Sequence, residues 1–223
     1  VDSAPQQRRW LQNFARCDAL LAYSEFGVKT LLEQSGDNLN VIGCAPPAVD
    51  PEVYKPVPSF KSHRESFGLD PDIKIIGTVM RNQKRKLFIE LMRAFRIFLD
   101  KAPKELAEKS FLYLHTSYPE RNGWDIPLGI QENNLHGKVL ATYVCRACGK
   151  FHVTKFQDAI TTCKHCGARA AVMPNVSNGL SIPDLIKVYN LMDLYVQYAI
   201  CEGFGMPQVE AASCGVPIAS VDY

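Results

Sequence analysis

Two carboxylates on either side of a glycine turn are the residues best placed to do chemistry. Glu202 and Glu210 lie eight positions apart in the stretch CEGFGMPQVEAASCGVPI, residues 201–218. The turn Gly203-Phe204-Gly205 follows an apolar, strand-like run and precedes a predicted helix whose first turn can hold Pro207. A strand, a glycine turn and a helix start direct backbone N–H groups at an anion, and ionised carboxylates accept hydroxyl donors. The stretch therefore predicts a site for a ligand with phosphate and polyol groups, such as a nucleotide sugar.

A second cluster of charge follows an apolar run at residues 73–79. Four cations occur within six residues: Arg81, Lys84, Arg85 and Lys86. One interpretation is a solvated basic turn. The other is a diphosphate clamp, with Arg81 as a planar fork and Lys86 as a point charge. Because ligands of open α/β sheets bind beyond the carboxyl ends of the strands, this turn and the glycine turn are expected to converge on one crevice.

Two C-x2-C pairs predict a metal site. The four cysteines, with fourteen residues between the pairs, are Cys145, Cys148, Cys163 and Cys166. Four thiolates can close a tetrahedral zinc site with no open position, so the predicted Zn²⁺ is structural. Gly149 and Gly167 allow the tight turn of each knuckle. A redox dithiol and chance spacing are the competing interpretations. His152 and His165 could substitute as ligands, but four cysteines already satisfy the metal. Whether the ribbon also binds a protein or nucleic-acid partner is left open.

The composition is that of an ordinary globular protein. The 223 residues are 47% hydrophobic and 22% charged, and the net charge of +2 gives no reason to expect nucleic acid as a partner. The first ten residues contain no initiator methionine and no apolar signal core, so we expect a segment of a longer protein. The four cysteines outside the pairs are expected to be buried thiols in a reducing, cytoplasmic compartment.

Alternating strand and helix patterns predict an α/β fold, a Rossmann-like parallel sheet with helices on both faces, interrupted by a small zinc-ribbon insertion. Strands are expected at 73–79, 111–115, 138–144, 194–200 and 217–221, and helices at 86–101, 125–133 and 181–192 and from 207. A smaller piece, with helices at 6–17 and 25–35 and strands at 19–23 and 40–43, precedes a proline-rich linker at 50–58. His63 and Arg64 are expected to be solvated on a short helix, Trp124 to be a packing anchor, and His115 to be a hydrogen-bonded histidine rather than a catalyst.

Three motifs in order resemble family 4 (group 1) retaining glycosyltransferases of the GT-B fold. Glu202 and Glu210 match the E-x7-E signature, and Arg81 with Lys86 matches the donor-diphosphate pair. Residues 181–189 resemble the helix that precedes the signature strand. The resemblance covers roughly residues 72–223. Leu87 stands where the family usually has glycine, and the zinc ribbon is not a general family feature.

The resemblance implies a role for each matching residue. Glu210 would bind the donor ribose and Glu202 the sugar near the reacting carbon, while backbone amides at Gly203, Phe204 and Gly205 would contact sugar and phosphate. Arg81 and Lys86 would hold the diphosphate leaving group and neutralise its developing charge. Glu202, Arg81 and Lys86 would thus be the catalytic residues of a hexosyltransferase. The family needs no catalytic metal; the donor is a nucleotide-diphosphate sugar, and the acceptor (glycan, lipid or small molecule) is open, as is peripheral association with a membrane.

The resemblance also predicts the domain organisation. Residues 1–65 would be the tail of an N-terminal GT-B domain with its linker, residues 66–223 an incomplete donor-binding domain, and residues 143–173 the ribbon inserted in it. Because the N-terminal domain would supply the acceptor site, the chain alone is expected to be inactive. The alternative function is a zinc-stabilised nucleotide-binding or scaffold module without catalysis.

Overall fold

The computed structural model describes Ala4 and residues 6–221, apart from the side chain of Asp37. The chain divides into two compact units. The first contains the described residues up to Val49 together with Cys201–Met206, and the second contains Asp50–Ile200 and residues 207–221. The assignment of residues 1–65 to the tail of a preceding domain stays a prediction.

The first unit is a small α/β piece with a two-stranded parallel sheet. Its helices are α1 (Arg8–Phe14) and α2 (Glu25–Ser35), and its strands are β1 (Leu20–Ala22) and β2 (Val41–Cys44). The Ser24 hydroxyl caps α2 by accepting a hydrogen bond from the Gly27 N–H. Ala22, Leu31 and Leu39 form its core. The elements match those predicted, except that α1 is shorter at both ends.

The second unit is built on a parallel sheet, as predicted. Its parallel strands are β3 (Lys74–Val79), β4 (Ser110–His115), β5 (Val139–Cys145), β9 (Leu194–Gln197) and β10 (Ile218–Ser220). They lie in the order β10-β9-β3-β4-β5. Every residue of β5 is buried, as expected for a strand covered on both faces.

Helices cover both faces of this sheet. They are α3 (Phe60–Ser66), α4 (Phe88–Lys101), α5 (Lys104–Lys109), α6 (Ile126–Glu132), α7 (Ile182–Tyr189) and α8 (Met206–Ser213). The alternation of side chains along a strand separates two cores: Leu112 of β4 packs with α4 and α6, whereas its neighbour Tyr113 packs with α7 and α8. Helix α5 has no counterpart in the sequence prediction.

The cysteine-rich insertion continues the sheet rather than standing apart from it. Strands β6 (Phe151–Lys155) and β8 (Ala171–Val172) both pair antiparallel with β5, and β7 (Ile160–Thr161) pairs with β8. Cys145, the first cysteine of the cluster, is the last residue of β5. The insertion is therefore anchored through main-chain hydrogen bonds to a fully buried strand.

Two expectations about individual side chains were wrong. Arg64 is not solvated: it is 1% exposed, and its guanidinium donates to the carbonyls of Ile73 and Leu191 and forms an ion pair with Asp193 at 2.5 Å. Of the four cysteines expected to be buried thiols, Cys214 is buried, Cys44 and Cys201 are partly buried, and Cys17 is exposed. The error at Arg64 arose because periodicity within a short helix does not reveal what lies opposite its polar face.

The proline-rich segment at 50–58 is attached to the second unit. The Val57 N–H donates to the Asn190 side-chain oxygen at 2.8 Å, and the Asn190 amide donates to the Lys55 carbonyl. Asn190 follows the end of α7 and is 3% exposed. One buried amide thus fixes the course of a segment that has no regular secondary structure of its own.

Candidate functional site

The sheet topology creates a switch point between β3 and β9. The chain runs from β3 through β4 to β5 in one direction and then returns to place β9 on the other side of β3. Open α/β sheets bind ligands in the crevice beyond the carboxyl ends of the strands at such a point. The basic turn follows β3 and the glycine turn follows β9, so the two predicted segments belong to the two strands of the switch point.

Main-chain hydrogen bonds hold the basic turn against the segment that follows β9. The Leu87 N–H donates to the Tyr198 carbonyl at 3.1 Å, and the Ile200 N–H donates to the Arg85 carbonyl at 2.8 Å. Lys86 and Ala199 form an isolated antiparallel bridge. The loop that carries the cations is therefore hydrogen-bonded to its neighbour through its main chain; Lys86 is buried (7% exposed), whereas Arg81 and Lys84 are exposed.

Arg81 is held by a carboxylate that the sequence prediction did not identify. Its guanidinium donates to Glu120 at 2.9 Å, and Ser117 donates to the other oxygen of the same carboxylate at 2.8 Å. These bonds lower the pKa of Glu120 and raise the pKa of Arg81. The Arg81 side chain is still 53% exposed, so part of the guanidinium fork remains accessible. Glu120 lies in the loop after β4, where no sequence pattern distinguishes it from a surface residue.

Trp124 is hydrogen-bonded to the basic turn that follows β3, which fits its predicted role as a packing anchor. Its indole N–H donates to the Lys86 carbonyl at 2.6 Å, and its main-chain N–H and carbonyl form two hydrogen bonds with the Asn82 amide side chain. The Lys84 ammonium lies 4.2 Å from the ring centroid of Trp124, a cation–π contact. Gly123 must be glycine here, because a Cβ atom would lie 2.7 Å from the side chain of Asn82.

The predicted sugar-binding turn lies in the first unit. Glu202, Gly203 and Phe204 are partly buried, and Gly205 is buried with a φ of +84°. This left-handed backbone favours glycine. Helix α8 begins at Met206, so Pro207 occupies its first turn as predicted.

Glu210, inside α8, accepts hydrogen bonds from two tyrosines. The hydroxyl of Tyr189 donates to one of its oxygens at 2.5 Å, and the hydroxyl of Tyr54 donates to the other at 3.4 Å. Burial first and then the Glu210 charge raise the pKa of both tyrosines, so each hydroxyl keeps its proton and remains a donor. A carboxylate offers about four lone-pair sites, which leaves capacity for further hydroxyl donors. Tyr54 could not be found from the sequence, since it lies in the segment interpreted as a linker.

The four predicted metal ligands come together. All four sulfur atoms lie within 4.8 Å of one another, and the Cys145–Cys166 and Cys148–Cys163 sulfurs are both 3.7 Å apart. A tetrahedron with Zn–S bonds of about 2.3 Å has sulfur–sulfur edges of about 3.8 Å. The cluster thus fits a four-thiolate zinc site in donor type, number and spacing.

The two knuckles of the cluster have the same backbone geometry. The Gly149 N–H donates to the Cys145 carbonyl at 2.9 Å, and the Gly167 N–H donates to the Cys163 carbonyl at 3.0 Å. Both glycines have positive φ, 71° and 75°. A hydrogen bond from the Cys148 main chain, the largest cause, helps to lower the pKa of the Cys145 thiol to about 7. In the same cluster the pKa of the Cys166 thiol is raised to about 11 despite a hydrogen bond from the Ala168 main chain, because neighbouring thiols and burial oppose its ionisation.

His115 at the end of β4 is a structural histidine, as expected. Its Nδ1 lies 2.9 Å from the Thr142 hydroxyl, which also contacts the Tyr113 hydroxyl at 2.7 Å. Desolvation lowers the pKa of His115 to about 4. The imidazole is therefore neutral at pH 7.

Comparison with solved structures identifies the fold. Sucrose-phosphate synthase from Thermosynechococcus elongatus aligns over 95% of this chain and 42% of its own, with 17% identity and a TM-score of 0.65. HepE from Anabaena, in complex with UDP and glucose, aligns over 96% and 47%, with 16% identity and a TM-score of 0.63. This fold is that of GT-B glycosyltransferases. A glycosyltransferase from Rickettsia africae also matches, with 13% identity, a TM-score of 0.61 and coverage of 98% and 49%.

The comparisons also define the extent of the match. The chain spans less than half the length of each of these three structures. No known protein-family profile matches the sequence, and no curated protein sequence matches it. At such low identity the likeness concerns the fold, and the ligand-binding residues must be argued from this chain. Among the described residues, no helix combines the length and apolarity that a membrane crossing requires.

Proposed function

We propose that this chain is the donor-binding part of a retaining glycosyltransferase that transfers a hexose from a nucleotide-diphosphate sugar to an acceptor. The observation that carries the proposal is the switch point between β3 and β9, where a fixed basic loop and a glycine turn follow adjacent parallel strands. Neither segment alone would suffice, because basic turns and glycine turns are common. The UDP and glucose bound to HepE belong to the same ligand class.

The proposed roles follow from the chemistry of each group. Arg81 and Lys86 bind the diphosphate and neutralise the charge that develops when it leaves. Glu210, oriented by Tyr54 and Tyr189, accepts hydrogen bonds from the ribose. Glu202 contacts the transferred sugar, and the backbone amides at 203–205 contact sugar and phosphate. No catalytic metal enters this scheme.

The cysteine cluster is proposed to hold one structural Zn²⁺ through Cys145, Cys148, Cys163 and Cys166. When bound, the ion fixes the ribbon and supplies no reactive position, because four thiolates complete its coordination.

We also propose that the protein acts in the cytoplasm and that a preceding domain supplies the acceptor site. The acceptor is a glycan, a lipid or a small molecule; with a lipid, the protein would associate peripherally with a membrane.

Calorimetric titration of the full-length protein with UDP-, GDP- and ADP-glucose tests the proposal. At least one donor is expected to bind, and Arg81→Gln and Glu210→Gln should each raise its Kd about ten- to hundredfold, because each removes hydrogen bonds to a charged group. Lys101→Gln is the matched control, since Lys101 is an exposed cation in the last turn of α4.

The outcomes separate the enzyme from its alternative. Absence of binding by the full-length protein across a wide panel of nucleotide sugars would favour a zinc-stabilised scaffold without catalysis. Equal effects of Arg81→Gln and Lys101→Gln would remove Arg81 from the donor site. The 223-residue chain alone is expected to show weak binding and no transfer, and efficient transfer by it would contradict the need for a second domain.

A further inference from the structure

A cavity of about 770 Å³ lies between α3, α7 and the cysteine-rich ribbon, away from the switch point. Its lining includes His63 and Phe67 at the α3 end, Asp184 and Lys187 on α7, and residues of both knuckles. None of the residues proposed to bind the donor contributes to it. Cavities of about 300–1,000 Å³ accommodate small organic ligands, so its size is that of a binding site.

The cavity is electropositive. Lys150, Lys164 and Lys187 line it, and Asp184 is the only acidic residue among its lining residues. Asp184 already forms an ion pair with Lys187 at 2.8 Å, and Lys164 donates to the Val153 carbonyl at 3.3 Å. Three cations around one concave surface, with one carboxylate among them, favour an anionic ligand.

An aromatic pair gives the cavity an apolar surface in addition to its positive charge. Phe67 and Phe151 both line it, and their ring centroids are 5.4 Å apart. Their ring edges and faces offer a surface on which a flat group can pack. An inorganic anion would use the lysines alone, whereas a ligand that carries both an anion and a ring would use the whole cavity.

His152 lines the cavity but is itself buried, with 4% of its surface exposed. Its ring stacks on Tyr143 and lies edge-on to His165. Neither of its ring nitrogens has a hydrogen-bond partner among the described residues, and both nitrogens are inaccessible to solvent. The imidazole is therefore part of the wall of the cavity and offers no hydrogen-bonding atom to a ligand inside it.

We propose that this cavity binds a small phosphate ester that carries a flat ring. The lysines contact the phosphate, and the two phenylalanines pack on the ring. The site is separate from the proposed donor site, so the inference does not depend on the proposed function. It gives the ribbon a second role, since residues 149–152, which follow the first cysteine pair, and Lys164 and His165, which lie within the second pair, form one wall of the cavity.

Phenyl phosphate is a suitable probe, because it has the anion and the ring but lacks the sugar and the diphosphate of a donor. Titration of the zinc-loaded protein followed by ¹⁵N–¹H correlation spectra should shift the amides of Gly68, Gly149 and Phe151 and leave that of Arg81 unchanged. Inorganic phosphate and phenol, tested separately, should each bind more weakly than phenyl phosphate.

Charge reversal at the wall of the cavity provides the decisive variants. Lys187→Glu on α7 and Lys150→Glu on the ribbon should each raise the Kd of phenyl phosphate about fivefold or more, while Lys101→Glu should leave it unchanged. Lys187→Glu lies outside the ribbon, so its result stands even if Lys150→Glu disturbs the metal site. No binding at millimolar probe, equal weakening by Lys101→Glu, or amide shifts confined to the loop at 81–86 would each overturn the proposal.

Discussion

Replacing Arg64 by methionine should destabilise the second unit strongly. The buried guanidinium donates to the main-chain carbonyls of Leu191, Ile73 and Pro71 and pairs with Asp193 at 2.5 Å. It thereby joins α3 to the two segments that precede the adjacent strands β3 and β9. Methionine keeps much of the apolar stem but removes every donor, so a carboxylate and several carbonyls lose their partner together.

The expected loss follows from the surroundings of that carboxylate. Breaking a buried ion pair costs about 3–5 kcal/mol. Asp193 is 26% exposed and keeps the Ile75 N–H and, at 3.6 Å, the Lys74 ammonium as partners, which places the loss near the lower end, about 3 kcal/mol. On the same helix, Lys61 pairs with Asp72 at 3.0 Å, but both side chains are more than half exposed (71% and 61%). Lys61→Met should therefore cost only about 0.5 kcal/mol.

Urea unfolding of the two variants in a Trp10→Phe background measures this difference, because the fluorescence then reports on Trp124 in the second unit. With a slope of about 2 kcal/mol per M, the midpoint should fall by about 1.5 M for Arg64→Met and by about 0.3 M for Lys61→Met. Equal shifts for the two variants would refute the argument that burial makes Arg64 a structural residue.

Three further perturbations test the basic loop, the cysteine cluster and a buried histidine. Gly123→Ala should cost about 1–3 kcal/mol of unfolding free energy, because its Cβ would press on Asn82; Gly179→Ala, whose nearest contact is an ordinary 3.6 Å, is the control in the same urea assay. Elemental analysis should find one zinc per chain, and a chelator should make the four cluster thiols reactive to alkylation; no zinc together with free alkylation in the native protein would contradict the metal site. The pKa of His115 is lowered from 6.5 to about 4, so between those pH values the unfolded chain binds a proton that the folded chain does not. The free energy of unfolding should therefore decrease as the pH is lowered from 6.5 to about 4, and His115→Gln should reduce that decrease.

The candidate site combines local sequence patterns, which could be predicted, with contacts between distant residues, which could not. The C-x2-C pairs and the glycine turn are local patterns, and their geometry follows from residues within a few positions of one another. The groups that orient the proposed donor ligands are distant: Tyr54 is 156 residues from Glu210, and Glu120 is 39 residues from Arg81. Such partners leave no periodic signal, so they could not be predicted.

The sequence by itself determined the main strands and helices of the parallel sheet and the spacing of the cysteines. Alternating apolar runs and amphipathic helices specify a parallel α/β sheet, because burial on both faces requires them, and four cysteines at knuckle spacing specify a four-thiol cluster whose donors suit a metal ion. The tertiary structure decided which strands are adjacent, that the ribbon extends β5, and that Arg64 is buried. Those features depend on which side chains meet across the fold, and the free energy of that packing is set by residues far apart in the chain.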